Sequence, residues 1–305
     1  MGRALWPPPQ LCYTYPMFRF FKYLILIAII GYGIIHFTIT PSLERDWSPD
    51  QALPARAVIT DDTVTIENVR NFRYRSTTDY DIDYYDITLS LGEIRTVDYI
   101  VEPFGSVGAA HTFLSFGFLN GEQIAISVEI RKERGETFSP WRGIMRQYEL
   151  MYVIADERDV IDLRANHRQH DVYLYPTKAT PDQARALFVA MLNRNNKLMT
   201  EPEFYHTLFS NCTTNIVDHL RAEFDVSISR FDHRLIMPAK SDELAHELGL
   251  IAPEYTLDQA RAKFLINEAA AKWQGDPDFS LRIRSHFWPQ VPVDIDPAQI
   301  PSLVL

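Results

Sequence analysis

The chain has 305 residues, 46% of them hydrophobic and 23% charged, an ordinary globular composition that excludes a disordered protein. A net charge of -10 and a pI near 5.4 argue against a nucleic-acid partner, because phosphate binding needs a basic face. There is no glycine-rich phosphate loop, no long low-complexity run and no internal repeat.

The first element is an apolar run, "FRFFKYLILIAIIGYGIIHFTIT", at 18–40. From Tyr23 to Ile39 its only strongly polar residue is His36. That matches the shortest helices that cross a bilayer, roughly 17 residues. Arg19 and Lys22 precede the run, whereas Arg45, the first basic residue after it, lies between Glu44 and Asp46. The positive-inside rule therefore puts the N-terminus in the cytoplasm and everything beyond about Thr40 outside. No small-x-small cleavage site follows closely, which favours an uncleaved anchor over a signal peptide. "MFRFFKY", from Met17, also reads as a start, in which case Cys12 is absent from the cell. The expected organisation is a cytoplasmic tail over 1–22, an anchor over 23–40, a linker over 41–60, an exported domain over 61–290 and an extension over 291–305.

Next come strands. "DDTVTIENVRNFRYRS" and "YYDITLSLGEIRTVDYIVEPF" carry alternating or β-branched and aromatic content. Residues 108–130 form a hairpin whose strands "HTFLSFGF" and "QIAISVEI" flank Asn120-Gly121. "YELMYVIADE" and "DVYLYPT" are further strands. Helices then take over. Thr180, Pro181 and Gln183 make a capping box for "TPDQARALFVAMLNRNNKL". A helix follows Asn211, and two more are expected at "SDELAHELGL" and "LDQARAKFLINEAAAKWQ". "FSLRIRSHFW" and the proline-rich end read as a terminal extension. Strands first and helices later define an α+β domain.

Cys212, in "FSNCTTNIVDHL", is one of two cysteines. With Cys12 on the other side of the membrane, Cys212 has no disulfide partner. A lone thiol in an oxidising compartment is either reactive or a buried inert side chain. Ser210 and Asn211 are both good N-caps, so the helix starts near Cys212. Cys212 then shares a stripe with Ile216 and Leu220 and points inward. A thiol at a helix N-terminus has its pKa lowered by the helix dipole, and the free N–H groups there suit an oxyanion.

A nucleophile needs a base, and the chain has nine histidines. His36 lies in the anchor. His167 and His170 have metal-like spacing but no supporting Cys or carboxylate pattern, so no metal is expected. His206 and His219 read as surface or cap residues. His111 opens an apolar strand after the small residues of "GSVGAA", where a substrate backbone can approach. It is the candidate base, against the plainer reading of a core histidine. Ser127 and Glu129 on the neighbouring strand are candidates to orient it. A two-residue turn at Asn120-Gly121 puts both on the face opposite His111. A one-residue shift or a bulge brings Glu129 onto the same face.

"HTFLSFGF", "SVEIRKERGETFSPWRGIMRQYELMYVIADERD", "VYLYP" and "EFYHTLFSNCTTNI" together resemble the bacterial Lnb N-terminal periplasmic domain family, over about 71–284. That family is similar to permuted papain-like enzymes, in which the histidine strand precedes the cysteine helix. The resemblance implies a periplasmic, cysteine-dependent acyltransferase or acyl hydrolase, which the apolar run at 23–40 would hold in a bacterial inner membrane. Its namesake moves an acyl chain in lipoproteins from glyceryl ester to N-terminal amine. The resemblance further implies Cys212 as a nucleophile forming a thioester and His111 as its base. Asn211 and the Cys212 N–H would hold the oxyanion, with Ser210 and Thr213 in support. Lipoprotein, phospholipid or cell-wall substrates are expected, and no cofactor. The alternatives are a peptidoglycan or peptide amidase on the same scaffold, or a non-catalytic envelope binding module.

Overall fold

The computed structural model describes residues 15–105, 108–224 and 226–287. Cys12, most of the expected cytoplasmic tail and the expected extension over 291–305 lie outside them. The chain divides into two compact units, residues 1–40 and 41–305.

In the first unit, helix α1 runs Tyr15–Thr38. Its segment Arg19–Thr38 holds 20 residues and is apolar enough to cross a membrane. At 1.5 Å per residue it covers about 30 Å, the thickness of a bilayer's hydrocarbon core.

In the second unit the strands come first: β1 (Arg56–Ile59), β2 (Thr63–Arg70), β3 (Arg73–Tyr74), β4 (Tyr80–Asp81), β5 (Tyr84–Ser90), β6 (Ile94–Pro103), β7 (Ala110–Phe118) and β8 (Gln123–Arg131). Helix α2 (Pro140–Ile144), β9 (Glu149–Asp156), α3 (Glu157–Asp162) and β10 (Tyr173–Pro176) follow. Between α3 and β10, residues Leu163–His167 form a π-helical turn. The remainder is helical: α4 (Pro181–Leu198), α5 (Cys212–Phe224), α6 (His233–Ile236), α7 (Ser241–Glu247), α8 (Leu257–Phe264), α9 (Asn267–Lys272) and α10 (Phe279–Arg282).

One sheet, ordered β1-β2-β9-β8-β7-β6-β10 with β5 also on β2, carries the fold. It is antiparallel apart from the β2–β9 contact. Its two faces follow the period of two in the sequence. Leu114, Phe116 and Phe118 join Ile124, Ile126 and Val128 in a core that includes Leu187, Phe188 and Met191 of α4 and Ile216 of α5. Phe113, Ala125, Met151 and Val153 face the other way, toward Val160 of α3, Ala270 of α9 and Phe279 of α10. The protein is a mixed α+β structure with helices on both faces of the sheet. The capping box at Thr180 forms as the sequence requires, with Thr180 Oγ1 accepting from the Gln183 N–H.

Three segments differ from the sequence reading. Residues 41–60 are not a free linker. Trp47, Ala55 and Ala57 are buried, with Trp47 under the Arg131 guanidinium at 4.2 Å and β1 paired to β2. The single helix expected over 257–274 is two helices. Leu265 turns extended (ψ 118), and the Ile266 N–H bonds the Val172 carbonyl in place of a helical one. "FSLRIR" is not a terminal extension but part of the domain, within the expected bounds 61–290: Arg284 is fully buried and paired with Asp98 at 2.6 Å and with Glu157. A charge pattern cannot reveal this, because the two carboxylates that admit the arginine lie far away in sequence.

Candidate active site

Helix α5 begins where the Asn211 side chain closes its first turn. Asn211 Oδ1 accepts from the Thr214 N–H at 2.8 Å, and Thr214 Oγ1 accepts from the Asn211 N–H at 2.8 Å. This reciprocal cap makes Cys212 the first helical residue. The thiol is buried, 4% exposed, on the stripe with Ile216. The Thr214 and Asn215 N–H groups are spent on Asn211. The Cys212 and Thr213 N–H groups have no acceptor among the described residues.

His111 is the second residue of β7, and its position depends on the hairpin turn. Gln123 faces Gly117 and Ser127 faces Phe113, so the turn spans three residues, Leu119 to Gly121, not two. The Phe118 N–H bonds the Glu122 carbonyl across it, and Gly121 takes φ +89, which glycine adopts freely. This is the one-residue shift that puts Ser127 and Glu129 on the face of His111. The two-residue reading of Asn120-Gly121 is thereby corrected.

The β7–β8 ladder runs only from Gly117/Gln123 to Phe113/Ser127, so His111 sits just past its end. Its ring stacks on Phe113 at 5.9 Å, and Nε2 lies 2.6 Å from Ser127 Oγ. Ser127 Oγ donates to Glu129 Oε1 at 2.9 Å. The serine has one proton and gives it to the carboxylate, so Nε2 must be the protonated nitrogen. Nδ1 then keeps its lone pair for the thiol.

Burial pushes the Cys212 thiol up. A hydrogen bond to His111, the charge of that imidazole and hydrogen bonds from Thr112 outweigh burial and bring it down to about 7 from 9.0. Thr112 also meets Thr213 at 3.1 Å, which fixes the start of α5 against β7.

Behind His111 is a charge cluster that sequence reasoning missed. Glu102 is directly across β6 from His111 and is fully buried. Arg164, from the π-helical turn, contacts Glu102 Oε2 at 2.7 Å through Nε and Glu129 Oε1 at 2.9 Å through Nη2. Its guanidinium lies 4.9 Å from the Phe113 ring centre. Burial pushes Glu102 up, yet Arg164, with His170, holds it at about 2. Glu129, despite burial, is held well below the usual carboxylate range by Arg164 and His111. The only sequence signal for Arg164 is a cation in an otherwise apolar, acidic segment, "DVIDLRAN".

The remaining candidates have other partners. The Asn211 amide nitrogen is spent on the Thr207 and Leu235 carbonyls, at 2.9 and 3.1 Å, so this side chain caps and anchors instead of facing an oxyanion. Ser210 Oγ accepts from Asn215 at 3.3 Å. Thr213 Oγ1 lies 3.9 Å from the Cys212 sulfur. His170 pairs with Glu102 and His167 with Asp162, so the two do not converge. His219 is not a surface residue: it is half-buried and meets the Tyr152 hydroxyl at 3.0 Å. Burial, then Arg194, lowers it to about 4. In "GSVGAA", Ser106 and Val107 lie outside the described residues. Gly108 (φ +90) is covered by Met237, not open to a substrate backbone.

A lowered thiol, an imidazole of fixed tautomer and two free amides can support attack on a carbonyl. The model of the Lnb N-terminal periplasmic domain family matches residues 80–239, from β4 through His111 and Glu129 to Cys212 and beyond α6. No curated protein and no solved structure matches the chain.

Proposed function

Because the chain belongs to the Lnb N-terminal periplasmic domain family, we propose that it is a cysteine-dependent acyltransferase or acyl hydrolase of the bacterial envelope. Its domain would lie on the outer side of the cytoplasmic membrane, held by α1, with lipoprotein or lipid acyl groups as substrate. The observation that carries the reading is the Cys212 thiol brought down to about 7 by His111, whose other nitrogen is tied to Ser127 and Glu129. The order of histidine strand and then cysteine helix fits a permuted papain-like plan.

The chemistry follows from these groups. Nδ1 of His111 takes the thiol proton. The thiolate attacks the acyl carbonyl, and the Cys212 and Thr213 N–H groups meet the oxyanion. Collapse breaks the ester C–O bond, the leaving alkoxide takes the proton from His111, and a thioester remains. An amine then attacks the thioester, gives its proton to His111 and expels the thiolate as the amide forms. Water in place of the amine gives a free acid. Glu129 and Ser127 keep the imidazole in the required tautomer and stabilise its charged form.

The test uses the full-length protein in nanodiscs with a diacylated lipopeptide. Mass spectrometry should find the acyl chain on Cys212 of wild type and no adduct in Cys212→Ala or His111→Ala. Equal labelling of a wild-type and a Cys212→Ala sample removes the dyad from the mechanism. Turnover of muropeptides, with none of lipopeptides, would instead support an amidase.

A further inference from the structure

The same helix that carries Cys212 also walls a cavity. Among the described residues, α5 contributes Thr213, Ile216 and Leu220 to it, and β6 and β7 contribute Tyr99 and Leu114. Leu187 of α4 and Leu244 of α7 line it as well. Its volume is about 250 Å³. The lining is hydrocarbon except for a few groups already engaged. The Tyr99 hydroxyl donates to Ser241 Oγ at 2.7 Å, and Thr213 Oγ1 meets Thr112 Oγ1 at 3.1 Å. A polar ligand would find few free partners, so the cavity selects for hydrocarbon.

Two residues link the cavity to the thiol. Thr213 follows Cys212 in the chain and lines the cavity. Tyr99 lines it too, and is close enough to Cys212 for the thiolate to add to the effect of burial on its phenol. An acyl group attached at Cys212 therefore has an apolar volume next to it, past Thr213 and Tyr99.

We infer that this cavity is the acyl-chain subsite of Cys212, and that it takes a straight hydrocarbon chain of limited length. The inference rests on the acyl-transfer reading above. An apolar cavity of about 150 Å³ holds benzene, so this one accommodates about ten carbons. Each methylene buried there should raise kcat/KM about fourfold. The gain should stop at about ten carbons, where the cavity is full.

The experiment uses the full-length protein in nanodiscs and has two arms. In the first, a fatty acid carrying a terminal diazirine is photolysed on the Cys212→Ala variant, which leaves the cavity intact. Adducts on the peptides holding Leu187, Leu220 or Leu244 are expected. Adducts confined to α1 or to the lipid would overturn the inference. In the second arm, p-nitrophenyl acyl esters of increasing length are compared on wild type, Leu220→Trp and Leu244→Trp. An indole in the cavity should shorten the preferred chain and cut kcat/KM for the longest esters at least tenfold. Alkylation of Cys212 by iodoacetamide should stay unchanged, which also shows that the variants are folded. Unchanged length preference with intact alkylation would overturn the subsite. If no ester is turned over, the acyl-transfer reading fails, and the crosslinking arm still decides whether the cavity holds a chain.

Discussion

Replacing His111 with alanine should move the ionisation of Cys212 by a predictable amount. Burial alone pushes the thiol above its ordinary value of 9.0, and the two His111 contributions are the largest that bring it down to about 7. Without them the inflection should rise to 9 or above. At pH 7 the thiolate fraction then falls from about one half to about 1%, roughly fiftyfold, or about 2.3 kcal/mol. The more basic thiolate is also the better nucleophile, by about eightfold for a Brønsted slope near 0.45. Iodoacetamide should thus react about sixfold more slowly at pH 7. It should react faster than wild type at pH values high enough to ionise the thiol fully. The assay is the alkylation rate of Cys212 against pH, read by mass spectrometry on full-length protein, with Cys212→Ala as blank. An inflection that stays near 7 in His111→Ala would refute the reasoning and leave Thr112 and the helix terminus to account for the lowered thiol.

Ser127→Ala should leave the fold intact but free the imidazole to change tautomer. A kcat loss of roughly tenfold to a hundredfold with little change in KM is expected, read on the acyl ester. Arg164→Met strips the cation from the buried Glu102 and the partly buried Glu129 and should cost about 3–5 kcal/mol in urea unfolding. A loss under about 1 kcal/mol would mean that the pair is solvated. Acid should destabilise the domain through Glu102, whose folded pKa of about 2 lies below its ordinary 4.5. Its contribution is present above about pH 4.5 and lost as pH falls toward 2. Asp98, pushed up to about 6 by burial despite Arg284, works the other way, adding stability as pH falls from about 6 to 4. Melting temperature should therefore hold near pH 5 and drop below about 4.5, and Glu102→Gln should flatten that drop. Gly121→Val forces a branched side chain to φ +89 and should cost about 1–3 kcal/mol by thermal melt.

Local pattern made much of the fold legible. The capping box at Thr180, the alternation in "HTFLSFGF" and the caps before Cys212 each act within a few residues, and a sequence displays them directly. The candidate site was legible as far as the cysteine helix and the histidine strand. The turn length was not, since Asn120-Gly121 suits a two-residue or a three-residue loop, and one residue decides which face Glu129 takes. Arg164 and Glu102 were hidden for a different reason. Their pairing joins a π-helical turn to a strand 62 positions away, and nothing local marks it. Arg284 eluded the reading in the same way.

The parting of β7 and β8 at His111 also divides labour between the two sides of one sheet. The thiol and the hydrocarbon cavity sit with α5 on one side, and Glu129, Arg164 and Glu102 sit on the other, with the imidazole at the passage between them. On the proposed reading, protons can be exchanged from the charged side while the thioester stays in a dry compartment. Partition between amine and water is then a property of one side of the sheet and proton supply a property of the other. Substitutions could tune the first without slowing the second.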